Sequence, residues 1–161
     1  MSASSALKAD EDGLVLTAVS LYEESLQGTK VSLLHYLNLI CLYFNCMDFG
    51  YATAHNVGGE IESKASTRAL ELVLEAEVKF GANDELTFWR NYIPYIGWGE
   101  DPDGWTLSGD SLAPYIYISR ENPTEENLLK ARLFFEKISE IDGSERKRLF
   151  LARLESILKI D

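Results

Sequence analysis

The chain has 161 residues, 46% hydrophobic and 25% charged, and a formal net charge of −11. That length and composition fit one globular domain around a single core. The acids are unevenly spread, with 17 acidic against 7 basic side chains in residues 1–120 and 9 against 8 in residues 121–161. Nucleic acid is therefore excluded as a natural partner of the acidic part, because a phosphate backbone needs Lys and Arg to displace its counterions.

In chain order, Met1–Asp12 carries one lysine and no apolar stretch of signal-peptide type. It reads as a flexible tail (1–12) before a single helical domain (13–161), and export is not expected. The first helix runs from about Asp12 to Leu26, with Leu14, Ala18, Leu21, Tyr22 and Ser25 at helical spacing and Glu23 and Glu24 outward. Gly28 ends it and Thr29 caps the next helix.

From Val31 to Phe44 the apolar residues cover every face, so this second helix is buried all round. It is too short for the roughly 20 apolar residues that a bilayer span requires. A tight turn at Asn45–Asp48 leads into a returning arm, Phe49 to about Glu62, which Gly58–Gly59 interrupts. Cys41 and Cys46, five residues apart, lie about 140° apart on a helix, which fits reduced thiols in a cytoplasmic setting.

A strongly helical segment follows over Glu60–Phe80, with Ile61, Ala65, Ala69, Leu72, Ala76 and Phe80 on one stripe and Gly81 closing it. A short helix from Asn83 or Asp84 carries Leu86, Phe88, Trp89 and Tyr92 and ends before Pro94, since the residue preceding proline disfavours the helical region. All four prolines fall within 94–123, where Tyr115–Ser119 reads as a short strand or a helical turn. Thr124 caps a further helix whose face is Leu128, Ala131, Leu133, Phe134, Phe135 and Ile138, and Ser144 caps the last one. The fold class is all-α, with six or seven helices in antiparallel hairpins.

Tyr36, Leu39, Tyr43, Phe49 and Ala52 give the central hairpin a spacing that resembles one tetratricopeptide repeat. Leu128, Ala131, Phe135 and Ile138 echo it loosely, while Ile40 stands where the family has a small residue. The resemblance implies helical-hairpin packing. The positions it would turn toward a bound peptide, Leu34, Leu37, Cys41 and Phe44, are all apolar, so the family's polar peptide clamp is not implied.

Chemistry-bearing motifs are few. Glu100-Asp101-Pro102-Asp103-Gly104, extended to Asp110, resembles a calcium loop, but its first ligand position is Gly99 and the bidentate glutamate is missing. No metal is expected there, and no cofactor elsewhere. His35 and His55 match no zinc spacing with Cys41 or Cys46, and no Ser-His or Cys-His arrangement is present. Glu71, Glu75 and Glu77 read as a wet helix face.

Trp89, Tyr92, Tyr95, Trp98 and Trp105 form an aromatic run beside acids, either a small core under a loop or an interface patch. The candidate binding residues are Trp98, Glu100, Asp101, Asp103 and Trp105. These features imply a non-enzymatic protein-binding protein with a basic protein partner and neither nucleic acid nor membrane. An acidic immunity-type neutraliser of a basic toxin is its most concrete form. The alternative is a tetratricopeptide-like scaffold holding an apolar peptide or helix.

Overall fold

The computed structural model describes residues 3–81, 84–98 and 122–140, and these residues form seven α-helices and no strand. They are α1 (Ala3–Glu11), α2 (Val15–Ser25), α3 (Leu33–Cys46), α4 (Phe49–Ala54), α5 (Gly59–Phe80), α6 (Asp84–Trp98) and α7 (Glu125–Glu140). The all-α architecture is as the residue patterns require. The Tyr115–Ser119 segment and the helix beyond Ser144 lie outside the described residues.

α3 is the centre. Every residue from His35 to Cys46 is buried, including Leu37, Leu39 and Tyr43 as its all-round apolar sequence demands. α5 packs most extensively on α3, α6 packs on α5, and the α1–α2 pair covers α3 from another side. α5 faces inward through Ala65, Ala69, Leu72, Val73 and Ala76, and its three alanines let the two backbones approach. Phe80 at the end of that stripe is 39% exposed and meets the Tyr36 ring edge-on, at 5.8 Å.

Three local expectations are corrected. Residues 3–11 are a helix and not a tail: Ala6 and Ala9 are buried against α2, and Gly13 at φ 76 closes α1. The Gly13 N–H donates to the Asp10 carbonyl at 3.0 Å and the Leu14 N–H to the Ala9 carbonyl at 2.9 Å, the paired bonds of a Schellman ending. Alanine stripes carry little hydropathy, so this helix is decided by packing on α2.

Second, the cap of α3 is Ser32 and not Thr29. Ser32 is extended (φ −89, ψ 159) and its Oγ accepts from the His35 N–H at 3.2 Å, three residues on. Third, α6 does not stop at Pro94 but runs on to Trp98. Leu86, Phe88, Trp89, Tyr92 and Ile93 are buried and hold it down, so tertiary packing outweighs a proline cost of about 3 kcal/mol.

The turn at Asn45–Asp48 is where the sequence places it, whereas the returning arm stops at Ala54 instead of near Glu62 and the break covers 55–58, with Gly59 opening α5. Asp48 caps α4 by accepting from the Tyr51 N–H at 2.9 Å. Asn56 (φ 51) ends α4 in the left-handed region, with Val57 buried beside Ala52, and Gly58 (φ 83) precedes α5. No helix among the described residues is long and apolar enough to cross a membrane.

Candidate functional site

Two places on the surface hold side chains that could act. The first is a groove of about 400 Å³ between α2 and α5, floored by Tyr43 of α3 and lined by Val19, Glu23, Ile61, Lys64 and Arg68. Glu23 crosses it. Its Oε1 accepts from the Tyr43 hydroxyl at 2.7 Å and from Arg68 Nε at 2.8 Å, and its Oε2 accepts from Arg68 Nη2 at 2.9 Å. Arg68 Nη1 also donates to Glu71 at 3.2 Å and Glu75 at 3.1 Å.

The electrostatics of this network point away from proton transfer. Burial alone would raise the Glu23 pKa, but the hydrogen bonds from Arg68 and Tyr43 and the guanidinium charge hold it below the ordinary carboxylate value. Burial, then the bond to Glu23 and its negative charge, push the Tyr43 phenol well above its ordinary value. The hydrogen bond to Glu23 raises Arg68 further still. A general acid or base needs a pKa near neutrality, and each shift moves its group away from it. The forked Arg68–Glu23 pair is a tie joining the α1–α2 hairpin to α5.

The second place is the end of α6. Of the aromatic run read from the sequence, Trp89 and Tyr92 belong to the main core, where Phe44 lies 5.2 Å from Trp89 and 5.5 Å from Tyr92. Trp98 is different: it sits on the last residue of α6 and is 50% exposed. Glu100, Asp101, Asp103 and Trp105, and with them the whole calcium-like loop to Asp110, lie outside the described residues.

Chain packing places Trp98 beside the α3–α4 corner. A β-carbon at Gly97 would stand 3.2 Å from the Met47 Cε and 3.4 Å from the Ser66 Cβ, so α6, the corner and α5 converge there. Two residues past Met47, Phe49 is 72% exposed at the start of α4. Phe49 falls on the repeat-like spacing of the hairpin but not in its core. Its exposure follows from α4 turning away after the Asp48 cap, which no local pattern encodes.

The remaining histidine and cysteine candidates are buried, or half-buried in the case of His55. His35 is buried with Nε2 3.0 Å from the Tyr22 carbonyl, and His55 Nδ1 lies 2.9 Å from the Tyr51 carbonyl. Cys41 and Cys46 are free and buried. Among the described residues no group of three or more His, Cys, Asp or Glu side chains is placed to hold a metal ion. Compared with known proteins, the chain matches no family model, no curated protein and no solved structure.

Proposed function

We propose that the chain is a non-enzymatic binding protein whose partner is a basic protein, with Trp98 in the contact surface. The observation that carries this reading is the half-exposed Trp98, at the end of a helix that buries Leu86, Phe88, Trp89, Tyr92 and Ile93. Tryptophan is costly to leave in water and is the residue most enriched in interface hot spots. The net charge of −11 would steer a basic surface toward it.

Glu100, Asp101, Asp103 and Trp105 extend the proposed surface along the chain. An immunity-type neutraliser of a basic toxin is the specific form we favour, on charge and size. The absence of any near-neutral titrating pair in the Glu23 network supports a role without catalysis. The buried free thiols suit a reducing, cytoplasmic setting.

The test is affinity purification from the native cell at low salt, followed by titration of the purified partner against the parent chain and Trp98→Ala. The expected result is a basic partner whose dissociation quickens in Trp98→Ala with the melting temperature unchanged. An acidic or nucleic-acid partner, or unaltered affinity in Trp98→Ala, overturns the reading.

A further inference from the structure

Charge and shape at the α3–α4 corner single out one face. Residues 31–63 contain no Lys or Arg and carry Asp48, Glu60 and Glu62, and the described residues 91–98 contain no Lys or Arg either. The fold brings these two cation-free stretches together where Met47 meets Gly97. Consecutive Cα atoms are about 3.8 Å apart, so Phe49 and Trp98 stay close to that contact whatever their rotamers. Two large exposed rings therefore share one end of the molecule with no described cation supplied by either stretch.

Beside Phe49 lies a shallow recess of about 350 Å³, lined by Thr53, Asn56, Gly58, Gly59 and Glu62. Thr53 is one helical turn after Phe49, so the two lie on the same side of α4. Glu62 pairs with no cation among the described residues. Lys64, the nearest cation in sequence, lines the groove beside Glu23 and reaches Glu60 at 3.4 Å. The N-terminus of α5 contributes roughly half a positive charge to the recess, which the full negative charge of Glu62 outweighs.

We infer that this corner is a docking face for a basic polypeptide segment. An Arg or Lys side chain of the segment pairs with Glu62 in the recess, and apolar side chains beside it cover Phe49 and Trp98. The inference rests on the proposed binding function and names its surface and the chemistry of its partner. An exposed ring one helical turn from the recess suits a guanidinium in particular, which stacks on aromatic faces as it pairs with a carboxylate.

The experiment uses the full chain labelled with ¹⁵N and a synthetic amphipathic peptide with arginines on one face and leucines on the other. Chemical-shift changes should centre on Phe49, Thr53, Asn56, Glu62 and Trp98. Glu62→Gln and Phe49→Ala, both at accessible positions, should each weaken binding by about tenfold, the loss of one charge-assisted contact or one anchor. Glu24→Gln removes the same charge from the exposed side of α2 and should change affinity less than about twofold. Equal weakening by Glu24→Gln and Glu62→Gln overturns the inference by showing diffuse attraction. Binding that needs Trp98 but neither Phe49 nor Glu62 overturns it while leaving the proposed function standing. No binding by the arginine peptide at any site counts against both.

Discussion

Glu23 is pulled two ways, by burial that favours its neutral form and by Arg68 and Tyr43, which favour the charged one. The second influence wins, so its folded pKa lies below the unfolded value of 4.5. A depressed carboxylate contributes stability that is complete above the unfolded pKa and is lost as pH falls through the folded one. Glu23→Gln keeps the shape and should cost about 1–2 kcal/mol at neutral pH. In urea melts that deficit should shrink as pH drops below 4.5, and a deficit constant down to pH 3 would mean the charge of Glu23 supplies none of it. Leu39, fully buried on α3, is a simpler case. Leu39→Ala removes apolar contact and leaves a cavity, and should cost about 2–5 kcal/mol. A loss under about 1 kcal/mol would show that α3 is not the centre of the core.

At the scale of elements, α1 and α6 depend on tertiary contacts that oppose or exceed local propensity. Gly13 holds φ 76 at the end of α1, a region that costs an L-residue about 1–2 kcal/mol. Gly13→Ala should therefore destabilise the chain by that amount, and amide exchange over residues 3–11 should quicken. Unchanged exchange would mean α1 does not need this ending. α6 carries Pro94 in its interior, where proline removes one helical hydrogen bond and crowds the preceding turn. Pro94→Ala should raise stability by about 1–3 kcal/mol in denaturant melts, since the helix already continues to Trp98. Destabilisation would show that a bend at Pro94 is required to seat Gly97 against Met47.

Over the whole molecule the surplus of negative charge works against compactness and the paired groups work for it. A net charge of −11 repels itself through water, and screening falls from a range of about 30 Å at 0.01 M salt to about 8 Å at 0.15 M. The Glu23–Arg68 pair is only about a quarter exposed on each side and is screened less. Added salt at neutral pH should therefore raise the melting temperature. A fall measured by calorimetry would mean that ion pairs such as Arg68–Glu75 and Arg90–Glu77 outweigh the long-range repulsion.

The residue pattern by itself determined that the chain is helical, that α3 is its buried axis, and that breaks fall at Asn45–Asp48, Gly58 and Gly81. These are properties of hydrophobic period and of backbone freedom, which are local in sequence. It also singled out Trp98, a large ring in an acidic, proline-rich stretch. What only the tertiary structure decided depends on partners far along the chain. Glu23 reads as an outward acid until α5 brings Arg68 to it, 45 residues later. Ala6 and Ala9 read as tail until α2 covers them. Phe49 falls on the repeat-like spacing, yet α4 turns it into water, and the start of that helix lies near the end of α6 because Gly97 lets α6 meet Met47. A side chain's neighbour across the fold is set by how helices pack, and helical spacing alone carries no record of it.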